Sequence, residues 1–584
     1  MVCRVAAMRI AVLDRDACYP QRCSRECIHF CPRVRSGDET IVMDEETGKP
    51  VISEELCVGC GICVHKCPFD AISIVNLADE LEEDMVHQFG KNAFHLFRLP
   101  TPKQEKVVGI LGQNGIGKTT AINILSGKLV PNLGEWDDGS GREAVLDYYA
   151  GTEMHDYMRR LYDGDLDVAF KSQYVDSLAS RDGRVADVID RAAAKRFDLS
   201  RVMDRRLDEV SGGELQKLAI AATMSQDADI YFFDEPSSYL DIHHRITVAR
   251  EIRELADAGR MVMVVEHDLA VLDFLADVMH LLYGKKGVYG VVTQPKSVRH
   301  GINMYLSGYL KEENVRFGDE IEFEVHPPLQ LEGRDVLVTF EPLEKRYEGF
   351  ALETEQGQIH TGEVVGIVGP NAIGKTTFVK MLAGVIEPTS GSVDTAVRVS
   401  YKPQYVRPVK GTVQEIFLTS DGLSPHYEQE IIRPLGVERL YDKKVKKLSG
   451  GELQTVAIAL CLARQADIYL VDEPSAYLDA SQRMHVAKVI NRVMEDEDKA
   501  AMVVDHDVYF IDLVSQSLMV FTGQAEVHGR GEGPFGLREG MNRFLRELDI
   551  TFRRDEESNR PRVNKPGSRL DRQQRSVGEY YYEP

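Results

Sequence analysis

The chain has 584 residues, of which 43% are hydrophobic and 28% charged, and its formal net charge at pH 7 is −23. This composition excludes a mostly disordered protein, and the length suggests roughly three to five domains. No apolar run reaches about 18 residues, and Asp14 and Asp16 come too early for a signal peptide, so we expect a cytoplasmic protein. The acidity argues against a general nucleic-acid coat but permits local basic surfaces.

Nine of the ten cysteines lie in the first 67 residues. In a cytoplasmic protein such a concentration indicates metal ligands more than disulfides. The stretch from Cys57 to Pro68 has the C-x2-C-x2-C-x3-C-P spacing of bacterial ferredoxins, in which three thiolates hold one cluster and the fourth holds another. A wider run from Cys18 to Pro32 supplies the matching half.

We therefore predict two 4Fe–4S clusters. The first is expected on Cys18, Cys23, Cys27 and Cys67, and the second on Cys31, Cys57, Cys60 and Cys63. Zinc sites and buried free thiols are the alternatives. Cys461 fits a small core residue. Cys3 has no assigned role, and because Met8 precedes an apolar strand pattern, residues 1–7 fit a dispensable extension with Met8 as an alternative start.

The rest of the chain contains an internal repeat. The pattern G-x4-G-K-[ST] occurs twice, each time after an apolar strand pattern and before a helical one, as in a phosphate-binding loop. In such a loop the backbone N–H groups face phosphate, the lysine reaches the β- and γ-phosphates, and the threonine holds Mg²⁺. The predicted residues are Gly112, Asn114, Gly115, Gly117, Lys118, Thr119 and Thr120 in the first half, and Gly369, Asn371, Gly374, Lys375, Thr376 and Thr377 in the second.

Further motifs follow in the same order in both halves. A Ser-Gly-Gly-Glu motif precedes an apolar strand that ends in an Asp-Glu pair, and a histidine follows 33 or 34 residues after that aspartate. The aspartate would bind Mg²⁺, and the glutamate would orient or deprotonate the attacking water. The two pairs are Asp234 with Glu235, and Asp472 with Glu473.

This series of motifs resembles that of ATP-binding cassette (ABC) ATPases with two nucleotide-binding domains. The resemblance implies that His267 and His506 contact the γ-phosphate and act with Glu235 and Glu473 in catalysis. It adds Gln173 and Gln404 to Thr119, Asp234, Thr376 and Asp472 as residues that bind or sense Mg²⁺. It also implies head-to-tail domains, with each ATP between one phosphate loop and the signature motif of the other domain, Ser211, Gly212 and Gly213 or Ser449, Gly450 and Gly451. ATP would close the domains and hydrolysis would release them.

The adenine-stacking residues and an insertion in the first half are less certain from the sequence than the motifs above. For adenine stacking we predict Phe89 and Tyr347, with Phe94 and Phe350 as alternatives. The first half has about 26 extra residues before its glutamine. Apolar residues recur there at helical spacing over 143–149 and 154–162, which predicts two short helices, either a docking element or a functionless insertion.

A second resemblance involves the whole arrangement. Two ferredoxin-type cluster motifs fused to two cassettes resemble the ABC-E family, also called the RNase L inhibitor family, over nearly the whole chain. The resemblance implies an archaeal-type ribosome recycling factor. Such an ATPase splits ribosomes with a class-one release factor or a Pelota-like factor, stays on the small subunit, and moves its cluster domain when the ATP sites close. An ATP-gated redox protein and a transporter ATPase subunit are the alternatives.

Each cassette is followed by the pattern Gly-(Ile/Met)-Asn-x-(Tyr/Phe)-Leu, which indicates paired hinge elements. If the protein binds ribosomes, basic residues near these hinges are the candidates for contact with ribosomal RNA: Lys296, Arg299, Arg538 and Arg543. Residues 553–575 hold eight Lys or Arg and four Asp or Glu, which favours a solvated end.

We expect an α/β fold with two ABC-type P-loop nucleotide-binding domains and an N-terminal α+β ferredoxin-like domain, in a monomer without membrane partners. The predicted limits are 1–80 for the cluster domain, 81–292 for the first cassette with its helix–loop–helix insertion near 136–171, 293–330 for the first hinge, 331–533 for the second cassette, and 534–584 for the second hinge and basic tail.

Overall fold

The structure is a computed structural model that describes residues 9–77, 81, 84–137, 141–173, 175–318, 320–323, 334–393, 397–419, 425–496 and 498–581. The predicted extension at residues 1–7 and part of the first hinge, residues 324–330, lie outside these ranges. Within them, no helix has the length and apolar character that a bilayer-crossing segment requires.

The N-terminal domain is small and built around its cysteines. Strands Arg9–Leu13 and Ile72–Asn76 pair antiparallel, as do Ile41–Met43 and Pro50–Ile52. Three short helices lie between them, Glu26–His29, Pro32–Arg35 and Ile62–Lys66. The core combines apolar side chains with four of the cysteines, Cys27, Cys31, Cys57 and Cys63.

The first lobe is built on a nine-stranded sheet. Its strand order is Met85–Gln88, His95–Phe97, Tyr289–Val292, Val278–Lys285, Val107–Gly112, Met261–Val265, Ile230–Asp234 and Val168–Lys171, and Lys296–Ser297 pairs with Val278–Lys285. The central strands are parallel and buried on both faces, as their continuous apolar sequences require. The helices are Lys118–Leu125, Arg142–Tyr148, Glu153–Asp163, Asp176–Ala179, Arg191–Arg196, Gly212–Met224, Ile242–Asp257, Leu269–Leu275 and Val298–Ser307.

The second lobe repeats this plan with eight strands. Their order is Glu344–Tyr347, Phe350–Thr354, His528–Gly536, Ser517–Gln524, Val364–Val368, Ala500–Val504, Ile468–Asp472 and Val399–Lys402. The helices are Lys375–Leu382, Val413–Thr419, Pro425–Tyr427, Gly450–Leu462, Ala480–Asp496, Val508–Val514, Leu537–Glu547 and Arg569–Val577. The repeated sequence motifs therefore belong to a repeated fold.

The insertion of the first lobe contains the two helices that its spacing predicted, Arg142–Tyr148 and Glu153–Asp163. They pack on the lobe through the buried Met154 and Met158 and the partly buried Leu146. The Tyr157 hydroxyl donates to the Leu125 carbonyl at the end of the phosphate-loop helix. The insertion is thus fixed to the nucleotide-binding lobe.

The C-terminal segment is not the solvated end that its composition favoured. Strands Phe552–Arg554 and Pro561–Val563 form a hairpin that lies between the lobes. Arg560 is fully buried, and its Nη1 donates to the Tyr509 hydroxyl of the second lobe at 2.9 Å and lies 3.4 Å from Asp273 Oδ2 of the first lobe. Buried guanidinium groups require such partners, so the tail ties the two lobes together.

Candidate functional site

The two phosphate loops have the same geometry. Lys118 Nζ donates to the carbonyls of Gly112 and Gln113 at 2.9 and 2.8 Å, and Lys375 Nζ donates to the equivalent carbonyls of the second loop. Burial lowers the pKa of both lysines, that of Lys375 to about 8. In each lobe the loop lies between the central strand and its helix, as predicted.

Glycine is required where the loop enters the helix. Gly117 and Gly374 have φ angles of 97° and 103°, in the left-handed region. A Cβ at Gly117 would come within 2.9 Å of Phe94, and one at Gly374 within 3.1 Å of Phe350. Phe94 and Phe350, the alternative candidates for adenine stacking, therefore pack against the glycines of the two phosphate loops.

The predicted adenine-stacking residues remain accessible. Phe89 is 56% exposed and Tyr347 is 48% exposed, which is unusual for large aromatic side chains. The Phe89 ring lies 6.4 Å from that of Phe94, and the hairpin of the second lobe pairs Tyr347 with Phe350. Both predicted stacking residues thus neighbour the aromatic residue that lies against the glycine of the phosphate loop.

The carboxylate pairs stand at the ends of buried strands. Thr119 Oγ1 donates to Asp234 Oδ2 at 3.4 Å, and Thr376 Oγ1 donates to Asp472 Oδ2 at 2.9 Å. Burial, followed by the charge of the neighbouring glutamate, raises the pKa of each aspartate to about 6. A threonine hydroxyl beside a desolvated carboxylate is a suitable pair of oxygen ligands for Mg²⁺.

Each glutamate predicted to be catalytic is held by the two residues predicted to act with it. Gln173 Nε2 donates to Glu235 Oε1 at 2.9 Å, and His267 Nε2 lies 3.4 Å from the same oxygen. Burial alone would raise the pKa of Glu235, but hydrogen bonding and charge from His267 lower it to about 2. So acidic a carboxyl group is ionised and suits orientation of a water more than removal of its proton.

The second lobe repeats this arrangement. Gln404 Nε2 donates to Glu473 Oε1 at 2.7 Å, and His506 Nε2 lies 3.6 Å from it. The pKa of Glu473 is also lowered to about 2, against the effect of burial, by hydrogen bonding to His506. The structure thus brings the predicted glutamine, glutamate and histidine together in both lobes.

The lobes face each other head to tail through two reciprocal contacts that sequence reasoning did not assign. Asp479 Oδ2 of the second lobe accepts from the Asn114 N–H of the first phosphate loop at 3.1 Å. Asp241 Oδ2 of the first lobe accepts from the Asn371 N–H of the second loop at 2.9 Å. The Tyr-Leu-Asp sequence that occurs in both halves could have drawn attention to these aspartates. It does not show that each one contacts the phosphate loop of the other lobe.

Each signature motif begins a helix. Ser211 and Ser449 are the N-cap residues, and each forms a capping box with the glutamate three residues later. Lys286 of the first lobe lies 4.0 Å from Glu452 in the signature helix of the second lobe. In each lobe the N-terminus of the signature helix and its first glycine are exposed. A helix N-terminus of this kind can bind an anion.

The eight cysteines form the two predicted quartets. One cavity is lined by Cys18, Cys23, Cys27 and Cys67. Burial raises the pKa of Cys27 to about 11 and that of Cys63 to about 12, and the charges of other members of the same quartet add to this effect. Backbone N–H groups of Ala71 and Gly59 point at the sulfurs of Cys67 and Cys57 at 3.4 Å.

This donor set fits iron–sulfur clusters, which Cys thiolates hold in groups of four. The first quartet surrounds a cavity, and N–H groups directed at sulfur are among the contacts that tune such clusters.

The cations predicted to contact RNA all have acidic partners. Lys296 is buried and paired with Glu312, so its predicted role as a surface contact is wrong for this conformation. Arg299 pairs with Asp555, Arg538 with Glu579 and Arg543 with Glu539. These three arginines keep roughly half of their side-chain surface exposed.

Comparison with known proteins follows the same division of the chain. The model of the ABC transporter family matches residues 101–238 and 352–476, that of a possible Fer4-like domain in RNase L inhibitor matches 8–39, and that of a 4Fe–4S binding domain matches 50–73. An uncharacterized ABC transporter ATP-binding protein of Methanocaldococcus jannaschii is 50% identical, and translation initiation factor RLI1 of Saccharomyces cerevisiae is 41% identical, each over 98% of both chains.

The chain belongs to the ABC-E family. It is an ATPase that combines two ABC domains with iron–sulfur-binding domains, and the predicted family and fold class are confirmed.

Solved structures of this family agree. A chain in the structure "Model of ribosome-bound archaeal Pelota and ABCE1" is 52% identical, with a TM-score of 0.94 over 99% of this chain and 100% of that chain. A chain in the crystal structure of the complex of archaeal ribosomal stalk protein aP1 and archaeal ribosome recycling factor aABCE1 is 51% identical, with a TM-score of 0.82 over 86% of this chain and all of that chain.

Proposed function

We propose that this ABC-E ATPase is a ribosome recycling factor that works in the cytoplasm. It splits ribosomes into subunits together with a class-one release factor or a Pelota-like factor. The observation that carries this proposal is the full-length likeness, with a TM-score of 0.94, to a chain in a ribosome-bound assembly of archaeal Pelota and ABCE1. The relative in complex with a ribosomal stalk protein supports it.

The cofactors we propose are two 4Fe–4S clusters, ATP and Mg²⁺. The clusters belong on the two cysteine quartets described above, where four thiolates would hold each one and stiffen the small domain. Mg²⁺ belongs on Thr119, Gln173 and Asp234 in the first lobe, and on Thr376, Gln404 and Asp472 in the second. The Mg²⁺ ion neutralises charge on the transferred phosphoryl group.

The residues of each site divide the work of hydrolysis. The phosphate-loop lysine binds the β- and γ-phosphates, and the histidine holds the γ-phosphate. The glutamate, fixed by its glutamine, orients the attacking water. The signature serine and glycines of the other lobe close over the nucleotide, so the site is complete only when the lobes meet.

Closure reaches the cluster domain through the first lobe. The buried side chain of Asn92 bonds to Ala11 and Ile52 of that domain, in the turn that also contains Phe89. We propose that movement of the first lobe carries the cluster domain as a rigid body against the ribosome. Arg299, Arg538 and Arg543 remain the proposed contacts with ribosomal RNA, and they would exchange their acidic partners for phosphate.

Sucrose-gradient analysis tests the proposal. Purified ribosomes are incubated with the protein, ATP, Mg²⁺ and a release factor or Pelota-like factor, and the subunit peaks are measured. We expect subunits to form only when all components are present, and E235Q/E473Q, which binds ATP but hydrolyses it slowly, to stop after a single round of splitting. Ribosomes that stay intact with an active ATPase would reject the function. ATP turnover that follows the oxidation state of the clusters would favour the redox alternative instead.

A further inference from the structure

Each of the two aspartates that cross the interface follows a leucine whose carbonyl is held by an arginine side chain. Arg245 Nε donates to the Leu240 carbonyl at 2.7 Å, and Arg483 Nε donates to the Leu478 carbonyl at 3.0 Å. The tyrosine before each leucine has a φ angle of 65° or 63°, in the left-handed region that side chains rarely adopt. The arginine therefore fixes a segment whose backbone conformation is unfavourable by itself.

In the first lobe the same arginine also reaches the histidine predicted to contact the γ-phosphate. Arg245 Nη1 donates to Asp268 Oδ2 at 2.5 Å, and Asp268 directly follows His267. The other oxygen of this carboxylate accepts from two N–H groups at the start of helix Leu269–Leu275, so the aspartate is itself fixed. One guanidinium group thus joins the segment of His267 to that of Asp241.

The second lobe repeats the connection. Arg483 Nη1 donates to Asp507 Oδ2 at 2.6 Å, and Asp507 directly follows His506. The other oxygen of Asp507 accepts from an N–H group in the first turn of helix Val508–Val514. Here one guanidinium group joins the segment of His506 to that of Asp479.

The two connections meet at the interface between the lobes. Helix Leu269–Leu275 packs against helix Val508–Val514, and the four charged side chains are at most 12% exposed. Burial opposes the charge of Arg245, but Asp268 and then Asp507 of the other lobe raise its pKa. The same two aspartates raise the pKa of the other arginine, again against the effect of burial. The two ion pairs therefore form one buried cluster.

Stability alone does not account for this cluster. Buried ion pairs lose hydration on folding, and apolar side chains of similar volume often give equal or greater stability. What apolar side chains could not provide is the connection. Asp241 binds the second phosphate loop, whereas His267 belongs to the first site, so Arg245 stands between components of different sites. Arg483 stands between the two sites in the opposite sense.

We propose that Arg245 and Arg483 are positioning residues that couple the two nucleotide sites. A γ-phosphate held by the histidine of one site fixes the following aspartate, and the arginine transmits this to the aspartate that holds the phosphate loop of the other site. Coupling between binding sites is reciprocal, so each arginine acts in both directions. ATP at either site therefore raises the affinity of the other. The inference rests on the nucleotide sites of the proposed function.

Equilibrium binding of labelled ATP with Mg²⁺ tests the inference. The parent is full-length E235Q/E473Q with its clusters and without ribosomes, because this variant should retain ATP. Adding K118A or K375A leaves one site, whose affinity is then measured alone. The coupling factor is the affinity constant for two ATP molecules divided by the product of the two single-site constants. We expect a factor of about 5 to 150 in the parent.

The arginine variants should lower this factor and leave the single-site constants nearly unchanged. We expect R245M and R483M each to reduce the coupling factor about fivefold or to abolish it. R250M, at an exposed position of helix Ile242–Asp257, is the matched control. R245M leaves the buried Asp268 without its partner, so R245M/D268N, which removes both charges, is compared with it. The double variant should recover the melting temperature of the parent but not its coupling.

Three results would overturn the inference alone. They are a coupling factor of one in the parent, equal coupling in R245M/D268N and R250M, or single-site constants that fall while the coupling factor is unchanged. The last would show that the arginine is only structural. A parent that binds no ATP would overturn the proposed nucleotide sites together with this inference, so the two failures are distinguishable.

Discussion

Asn92 and Ile52 are joined by two hydrogen bonds: the Ile52 N–H donates to Asn92 Oδ1 at 2.8 Å, and Asn92 Nδ2 donates to the Ile52 carbonyl at 2.9 Å. Asn92 belongs to the first lobe and Ile52 to the cysteine-rich domain. The same amide donates to the Ala11 carbonyl at 2.8 Å, and the Asn92 carbonyl accepts from Leu13. One buried side chain therefore attaches the cluster domain to the turn that contains Phe89.

The first prediction is that Asn92→Asp loosens the cluster domain. Aspartate can still accept from Ile52, but the carbonyls of Ala11 and Ile52 lose their donor and face a carboxylate, at about 1–3 kcal/mol for each unpaired group. We expect faster proteolytic release of the N-terminal domain and weaker ATP binding. Lys91→Ala, at the exposed neighbouring position, is the control. Equal proteolysis of both variants would contradict this attachment.

The second prediction concerns Glu235→Gln and Glu473→Gln. Both variants should bind ATP, because the glutamate does not hold the phosphates, but hydrolysis at the altered site should slow about 10²–10⁴-fold. Single-turnover hydrolysis and retention of labelled nucleotide measure the two steps. Glu355→Gln, in an exposed ion pair with Arg530, is the control. Unchanged turnover in both catalytic variants would refute the assignment.

The third prediction tests the crossed cysteine pairing. Cys67 stands in sequence with Cys57, Cys60 and Cys63 but lies against the other quartet. Cys67→Ser should therefore disturb the cluster on Cys18, Cys23 and Cys27 and leave the other intact, and Cys31→Ser should do the opposite. Iron content should fall by about half in each variant. Loss of the same cluster signal in both variants would show that the pairing is wrong.

The fourth prediction is that Arg560→Met destabilises the contact between lobes. The substitution keeps volume but leaves the Tyr509 hydroxyl and part of the Asp273 charge without a donor, at about 3 kcal/mol. We expect a lower temperature of thermal unfolding and a higher KM for ATP. Arg572→Met, exposed on helix Arg569–Val577, is the matched control. A melting temperature equal to that of the control would argue against the role of the tail.

The residues of the two proposed nucleotide sites were predictable because their motifs recur in the same order in both halves. Lys118 and Glu235 stand in patterns whose chemistry restricts the residue type, whereas the role of His267 came from the resemblance to ABC ATPases. Strands that are buried on both faces are also predictable, because their sequences are continuous apolar runs. The fold class, the quartets of cysteines and the two inserted helices followed from such local patterns.

Contacts between distant segments were not predictable. Lys296 was expected at the surface, but its side chain is buried and pairs with the exposed Glu312. Arg299 meets Asp555, a partner 256 residues away, and no local pattern signals such a pair. Asn92 was missed for the same reason, since an asparagine in a turn is ordinary until its amide is found buried against another domain.

The contacts of Asp479 with Asn114 and of Asp241 with Asn371 mean that each half of the chain carries a component of the other half's reaction centre. The halves share one fold, yet neither can be exchanged alone without losing a contact that the other half makes. A chimera would have to take each aspartate and its partner phosphate loop from the same source, so a change in one half requires a matching change in the other.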